Sequence, residues 1–168
     1  RHPRVNILQP GPGVGGHCIA VDPWFIASNT PEEAQLILAA RRVNDAKPAW
    51  VVELVKARIH EFLQDNPGKK LKDVTIACYG LAFKADIDDL RGSPAMQIAH
   101  HLSLFHKGSL IAVEPNLDQT LAPISGIDLV SMGQAKQDAD VHVLLVDHKE
   151  FKASKLKGPY VIDTRGVW

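Results

Sequence analysis

The chain has 168 residues, 45% of them hydrophobic and 23% charged, which is ordinary for a folded domain and excludes an intrinsically disordered one. Nineteen Lys and Arg residues balance nineteen Asp and Glu residues, so the charge gives no electrostatic footprint for nucleic acid or an anionic membrane. The sequence contains no run of about 18 apolar residues, so no membrane-spanning helix is predicted.

Residues 1–29 are rich in glycine and proline, and they are predicted to form a loop. The stretch 10–23 superficially suggests a dinucleotide-binding fingerprint. It fails the context of that fingerprint, because no strand precedes it and Pro23 stands where a helix should be running. Two interpretations remain, a bland connector and a loop whose glycines let the backbone approach a ligand. Those glycines are Gly11, Gly13, Gly15 and Gly16.

Residues 30–66 are predicted to be helical and to form a segment of their own. Thr30 is a good N-cap, Pro31 suits the first helical position, and Glu33 completes a capping box. We expect Pro48 to interrupt or kink the helix. A long helix of this kind either forms a subunit contact in a dimer or covers the core of its own domain. The sequence leaves both interpretations open.

Residues 70–168 alternate short apolar runs with helical segments. The predicted strands are 74–79, 109–113, 141–146 and 160–163, and the predicted helices are 93–106 and 133–138. This order predicts an α/β domain in which a parallel sheet is covered by helices on both faces. Ligands bind at the carboxyl ends of the strands in such sheets. Those ends carry residues 80–84, 114–116, 147–148 and 163–165.

Cys18 is the first candidate for chemistry. A cysteine among backbone amides and next to His17 can be activated as a nucleophile, whereas the alternative is a small buried hydrophobic residue. The only other cysteine is Cys78, and the lack of a Cys-x-x-Cys pair favours a reducing, cytoplasmic compartment. The eight histidines show no metal-ligand spacing, so no metal site is predicted.

A second cluster of candidates covers residues 83–95. Lys84 and Arg91 lie between a predicted strand and a helix whose N-cap is Ser93. The free amides and positive dipole of the helix terminus suit an anionic ligand. The alternative is a salt-bridged loop, in which the two cations pair with Asp86, Asp88 and Asp89.

Taken together, these motifs resemble the UDP-glucose/GDP-mannose dehydrogenase family over nearly the whole chain. The matching residues are the loop that ends at 15–18 with Asp22 four residues later, Val43-Asn44, the runs 80–84 and 88–95, Ala139-Asp140, and 163–166. The loop variant at 11–23 is similar to the branch that acts on UDP-N-acetylmannosamine. The UDP-glucose branch usually has an aromatic residue within the loop and Pro-Lys just before the Asp, where this chain has Ala20 and Val21.

The resemblance implies an NAD-dependent enzyme that oxidises the 6-hydroxyl of UDP-N-acetyl-D-mannosamine to a carboxylate, for bacterial surface polysaccharide synthesis. It implies that Cys18 is the nucleophile, which forms a thiohemiacetal and then a thioester that water hydrolyses, and that Asp22 positions or activates the water. It also implies a substrate site made of Gly11, Gly13, Gly15, Gly16, Phe83, Lys84, Arg165 and, from a partner subunit, Arg4.

Members of this family begin with a Rossmann domain that holds NAD, and this chain shows no such domain. We therefore expect the chain to be the carboxyl-terminal part of the enzyme, inactive alone but able to bind UDP and to form a homodimer through residues 30–66. The expected plan is a substrate and nucleophile loop (1–29), a helical dimerisation segment (30–66) and a UDP-sugar-binding α/β domain (70–168). The alternatives are a dehydrogenase for UDP-N-acetylglucosamine or UDP-glucose, and a non-catalytic nucleotide-sugar-binding or dimerisation module.

Overall fold

One sheet of five parallel strands organises the second half of the chain, in a computed structural model that describes residues 8–118 and 126–168. The strands are β1 (Ile76–Tyr79), β2 (Leu110–Val113), β3 (Asp128–Leu129), β4 (Val141–Leu144) and β5 (Val161–Asp163). Their order in the sheet is β3-β2-β1-β4-β5. Ile76 of β1 is in register with Leu110 of β2 and with Val141 of β4. The winding direction reverses between β1 and β4, which is where a ligand crevice opens in such sheets.

Helices cover both faces of this sheet. The helices are α1 (Asp22–Asn29), which packs on α2, and α2 (Gln35–Asp65), α3 (Pro94–Phe105), α4 (Met132–Asp138) and α5 (Lys149–Ala153), which pack on the sheet. Alternate residues of a strand face opposite sides. Ile76 and Cys78 pack in the core with α2 and α3, whereas Ala77 and Tyr79 pack with α4 and α5. The predicted α/β fold, with a parallel sheet covered on both faces, is confirmed.

Helix α2 runs continuously through Pro48, so the predicted interruption there is wrong, whereas the alternative of a kink stays a prediction. The ring removes one backbone hydrogen bond, but burial of the following turns holds the helix together. The residues buried on the core are Val51, Val55, Ile59 and Phe62. The second half of α2 therefore covers the core of its own domain. Its first half differs, because Leu36 and Val43 remain 83% and 67% exposed.

The chain before α2 also departs from the prediction. Residues 22–29, predicted to belong to a loop, form α1, and Pro23 lies in its first turn, where a helix tolerates proline. The capping box predicted at Thr30 is wrong as well. Thr30 ends α1, with its Oγ1 donating to the carbonyl of Ile26 at 3.1 Å, and α2 begins only at Gln35.

Helix α3 begins as the sequence predicts. Ser93 Oγ accepts from the N–H of Met96 at 3.2 Å and donates to the carbonyl of Leu81 at 2.6 Å. The cap therefore ties α3 to the chain that leaves β1. The two-residue strand β3 and the five-residue helix α5 are additions to the predicted elements. Within the described ranges, no helix is both long enough and apolar enough to cross a membrane.

Candidate functional site

A cleft of about 1200 Å³ lies at the carboxyl ends of β1, β4 and β5. The glycine-rich segment forms one wall, the first half of α2 forms another, and the strand ends with the first turn of α3 form the floor. Six predicted site residues line this cleft: Gly11, Gly13, Gly15, Phe83, Lys84 and Arg165. The fold therefore brings together three segments that are far apart in the sequence. Arg4, predicted for a neighbouring site, lies outside the described residues.

The glycine-rich loop, residues 10–16, lies directly against the start of α3. A Cβ at Gly15 would collide with the carbonyl oxygen of Gly92 and stand 2.6 Å from Cδ of Pro94. Gly16 has a φ of 91° and donates its N–H to the same Gly92 carbonyl at 3.4 Å. Only glycine combines this conformation with so close an approach. The glycines thus let the loop pack closely on the start of α3, and the approach of a ligand to the loop backbone stays a prediction.

Arg165 is held at the cleft wall by Asp147. Its Nε and Nη2 lie 2.9 Å and 2.8 Å from Oδ1 of that carboxylate, while Lys152 Nζ lies 2.8 Å from Oδ2. Burial raises the pKa of Asp147, but the hydrogen bond from Lys152 and the charge of Arg165 outweigh it and keep the pKa below its ordinary value. The free Nη1 of Arg165 lies against Gly11, where a Cβ would overlap it.

Lys84 is exposed at the mouth of the cleft and forms no ion pair with any other residue of the described ranges. The salt-bridge alternative holds only for Arg91, whose Nη2 lies 2.7 Å from Asp89 Oδ2. Asp86 is engaged elsewhere, because its Oδ1 accepts the N–H of Lys149 at 3.0 Å. The Lys84 ammonium group is thus unpaired among the described residues, and its binding of an anionic ligand stays a prediction.

A buried carboxylate fixes the chain that leaves β1 and carries Phe83. Glu114 Oε2 accepts from the N–H groups of Leu81 and Ala82, at 2.7 Å and 3.1 Å, and from His148 Nε2 at 3.1 Å. Burial raises the pKa of Glu114, but the hydrogen bonds from His148 and Leu81 outweigh it and leave the pKa below its ordinary value. Glu114 and His148 were expected at the carboxyl ends of the strands, where ligands bind, but no role was predicted for either residue.

The sequence does contain a signal for this network, because Glu114 follows β2 and His148 follows β4, the two strands that flank β1. His148 is fully buried, and its Nδ1 accepts from the N–H of Asp86 at 2.9 Å. The ring proton therefore lies on Nε2, directed at Glu114. Through both partners, the network holds the segment from Leu81 to Asp86, which presents Lys84 to the cleft.

Cys18 and Asp22 do not line the cleft, and they follow the glycine-rich loop in the sequence. The N–H of Asp22 donates to the Cys18 carbonyl at 2.8 Å, so the two residues are one helical turn apart. Both are exposed, and the exposed apolar side chains of Ile19, Trp24 and Phe25 surround them in sequence. The interpretation of Cys18 as a buried hydrophobic residue is wrong. In the part of the chain that the structure describes, no three or more His, Cys, Asp or Glu residues group to hold a metal.

The described residues do not fit a bound dinucleotide at the strand ends. In dinucleotide folds, backbone N–H groups after the first strand hold the pyrophosphate. Here the N–H groups of Leu81 and Ala82 are occupied by the buried carboxylate of Glu114, whose negative charge opposes an anion at that point. The cationic side chains that line the cleft are Lys47, Lys84 and Arg165.

Residues 77–168 match the UDP binding domain of the UDP-glucose/GDP-mannose dehydrogenase family, and residues 1–46 match its central domain. The UDP-N-acetyl-D-mannosamine dehydrogenase of Yersinia pestis is 55% identical over 172 residues, which cover 100% of this chain and 41% of the relative. The enzyme of the same name from Escherichia coli (strain K12) is 52% identical with the same coverage. The NDP-N-acetyl-D-galactosaminuronic acid dehydrogenase of Ralstonia solanacearum is 50% identical and covers 100% of this chain and 38% of its own length.

Solved structures agree with these sequence matches. UDP-D-ManNAc dehydrogenase from Pyrococcus horikoshii superposes with a TM-score of 0.74 at 32% identity, over 99% of this chain and 38% of that one. UDP-N-acetyl-mannosamine dehydrogenase from Staphylococcus aureus superposes with a TM-score of 0.69 at 36% identity and the same coverage. The chain spans about two fifths of the length of the curated relatives it matches. Because the UDP binding domain match covers more than half of it, the chain belongs to the UDP-glucose/GDP-mannose dehydrogenase family.

Proposed function

We propose that this chain forms the nucleotide-sugar-binding and nucleophile-bearing part of an NAD-dependent UDP-N-acetyl-D-mannosamine 6-dehydrogenase. The observation that carries the proposal is the cleft, in which the loop leading to Cys18 meets Lys84 and Arg165 at the strand ends. Relatives named for this activity, 55% and 52% identical over the whole chain, support it. The substrate would be UDP-N-acetyl-D-mannosamine and the product its uronic acid.

The cleft suits an elongated anionic ligand. Its volume of about 1200 Å³ exceeds that of most small-molecule pockets, roughly 300–1000 Å³, so it has room for a nucleotide sugar. Lys84 supplies a mobile cation, and Arg165 supplies one that Asp147 holds in place. A diphosphate between them would be neutralised from two sides. Gly11 and Gly13 let the loop backbone follow the ligand without side-chain obstruction.

Cys18 is proposed as the nucleophile and Asp22 as the residue that positions the hydrolytic water. The Cys18 thiolate adds to the C6 aldehyde of the sugar, and the thioester that later forms is hydrolysed by water. NAD supplies the oxidising equivalents, and we place its site mainly outside the described residues, because these do not fit it. The exposed apolar residues Ile19 and Phe25 support a site that further protein covers in the working enzyme.

A homodimer through residues 30–66 is part of the same proposal. It is supported by the first half of α2, where Leu36, Val43 and Trp50, which also line the cleft, expose apolar surface that the core does not use. Arg4 is proposed to reach the partner's site. The three-segment plan of 1–29, 30–66 and 70–168, the cytoplasmic location and the absence of a nucleic-acid partner remain predictions.

Thermal unfolding with separate ligands tests the proposal. The 168-residue chain is measured with UDP, with UDP-N-acetylmannosamine and with NAD, and a ligand at about a hundred times its Kd adds ~2.7 kcal/mol to the unfolding free energy. We expect the uridine ligands to raise the midpoint and NAD to leave it unchanged. Lys84→Ala should weaken UDP binding about tenfold or more, since it removes a charged hydrogen bond, whereas Lys157→Ala, outside the cleft, should not. Absence of uridine binding in both this chain and the complete protein would contradict the proposal.

A second candidate function is the oxidation of another nucleotide hexosamine. The 50% identity to the NDP-N-acetyl-D-galactosaminuronic acid dehydrogenase of Ralstonia solanacearum favours it. Epimers differ in the orientation of one hydroxyl, so they would share the cleft and Cys18. Steady-state oxidation of UDP-N-acetylmannosamine, UDP-N-acetylgalactosamine, UDP-N-acetylglucosamine and UDP-glucose by the complete protein decides between them, by the ratio of kcat/KM values.

A further inference from the structure

We propose that Asn44 is a positioning residue that locks the glycine-rich loop in its ligand-binding shape, and that Asp45 and Arg41 fix the orientation of its amide. The inference rests on the proposed function for its catalytic consequence. Its structural basis is a set of contacts between α2 and the loop, which join residues 30 positions apart in the sequence.

Asn44 makes two hydrogen bonds with the backbone of one residue. Its Oδ1 accepts from the N–H of Val14 at 2.7 Å, and its Nδ2 donates to the carbonyl of Val14 at 3.2 Å. The Asn44 amide thus pairs with both the N–H and the carbonyl of Val14, as a neighbouring strand pairs with a residue in a β-sheet. Val14 lies between Gly13, which lines the cleft, and the turn that leads to Cys18. The Asn44 side chain therefore holds the loop at a point between the cleft and Cys18.

Asp45 determines which way the Asn44 amide faces. A flipped amide would direct its donor at the Val14 N–H and its acceptor at the Val14 carbonyl, losing both bonds. Asp45 Oδ1 lies 3.2 Å from Asn44 Nδ2, and a carboxylate oxygen can only accept, so it selects the productive orientation. Arg41 Nη2, 2.5 Å from the same Oδ1, holds that carboxylate in place. Arg41 is itself only 9% exposed.

A cavity of about 300 Å³ adjoins these polar contacts, and its lining includes Val14 of the loop and Arg41 and Asn44 of α2. Pro48 has no N–H, so the carbonyl of Asn44 lacks its helical donor and faces the loop, 3.6 Å from where a Cβ of Gly13 would stand. Beside this cavity, the Asn44 side chain attaches the loop to α2 by two directional hydrogen bonds.

Hydrogen exchange and kinetics on the complete protein test the proposal. In Asn44→Ala, we expect the Val14 amide to exchange about tenfold faster, because two hydrogen bonds are lost. With UDP-N-acetylmannosamine, well below the melting midpoint, kcat should fall about tenfold because Cys18 is no longer held in register. Gln137→Ala is the control, because the side-chain amide of Gln137 in α4 is exposed and has no hydrogen-bond partner among the described residues. It should change neither quantity.

Two further variants keep the test decisive. Asn44→Asp retains the acceptor for Val14 but removes the donor and faces Asp45 with a like charge, so its Val14 exchange should also accelerate. If Asn44→Ala fails to fold, Asp45→Ala serves in its place, with a smaller acceleration expected because only the amide orientation is released. Unchanged Val14 exchange in these variants, or a fall in thermal stability with wild-type kcat and KM, overturns the positioning role. Fast Val14 exchange in a protein whose wild type binds no uridine ligand overturns the proposed function instead, and leaves the contact between Asn44 and the loop established.

Discussion

Arg165 and Asp147 form an ion pair in which two guanidinium nitrogens share one carboxylate oxygen, with Nε at 2.9 Å and Nη2 at 2.8 Å from Oδ1. This geometry leaves Nη1 directed at the backbone of Gly11. The side chain of Arg165 is only 19% exposed, so its conformation is set before a ligand arrives. Asp147 thus fixes the position of the Arg165 guanidinium at the cleft, and it also forms an ion pair with Lys152.

Removing Asp147 should therefore weaken ligand binding through Arg165. We expect Asp147→Ala to reduce the affinity for UDP about tenfold, because the guanidinium must then be ordered when the ligand binds. Lys152→Ala is the matched control, since it removes the other ion pair of Asp147 and leaves the Arg165 contact in place. Titration calorimetry with UDP measures both. Equal losses in the two variants would contradict a specific role for the Arg165 contact.

Gly15 is predicted to tolerate no side chain. In Gly15→Ala the added Cβ meets the Gly92 carbonyl oxygen and Cδ of Pro94, neither of which belongs to a flexible side chain, so the loop must move away from α3. We expect a lower melting midpoint and UDP binding at least about tenfold weaker. Gly68→Ala, where no atom lies within 4 Å of the added Cβ, should change the unfolding free energy by less than ~0.5 kcal/mol. Wild-type UDP affinity in Gly15→Ala would show that the loop does not shape the cleft.

The fold was predictable where burial imposes a simple pattern. The strands β1, β2 and β4 are buried on both faces, so they appear in the sequence as short continuous apolar runs. The start of α3 was predictable because Ser93 and Pro94 follow local rules for capping. Pro48 does not interrupt α2 as the local rule for proline predicts, because burial of the following turns on the core outweighs the lost backbone hydrogen bond.

The candidate site was predictable in its residues rather than in its geometry. The resemblance placed Lys84 and Arg165 at a substrate site, and the structure brings both to one cleft. The residues that hold them were not predicted. Asp147 and Glu114 act through partners on other strands or loops, and such long-range pairs leave no periodic signal in a single sequence.

Glu114 predicts a pH dependence of stability. Its pKa in the folded state lies below the ordinary value of 4.5, so its stabilising contribution is fully present above about pH 4.5. That contribution is lost as the pH falls through the lowered pKa, because protonation removes an acceptor from Leu81 and His148. The chain should therefore lose stability below pH 4.5.

The Glu114→Gln variant tests this dependence. At pH 7 we expect a loss of about 2–3 kcal/mol, because the new amide donors face N–H donors. The difference from wild type should shrink as the pH falls below 4.5, since a protonated Glu114 resembles glutamine. Urea unfolding at pH 7 and at pH 4 measures it, with the exposed Glu53→Gln as the control. A constant difference at both pH values would contradict the assignment to the ionised carboxylate.

The two cysteines should differ sharply in reactivity. Cys18 is exposed, whereas Cys78 is fully buried in β1, and burial raises the pKa of its thiol to about 12. We expect a thiol reagent to label Cys18 in the native chain and to label Cys78 only after unfolding, as peptide mass spectrometry would show. Native labelling of Cys78 would mean that the sheet opens more readily than its packing suggests.

Cys18 is predicted to be indispensable for the second oxidation in the complete protein. Cys18→Ala should abolish formation of the uronic acid and leave UDP-sugar affinity within about threefold of wild type, because Cys18 does not line the cleft that we propose for the nucleotide. Cys78→Ala should keep its activity, since Cys78 is fully buried in the hydrophobic core and its thiol serves as core packing. Product analysis by mass spectrometry distinguishes an accumulated aldehyde from the carboxylate. Retained conversion to the acid by Cys18→Ala would assign the nucleophile to another residue, and the exposed Cys18 would then have no chemical role.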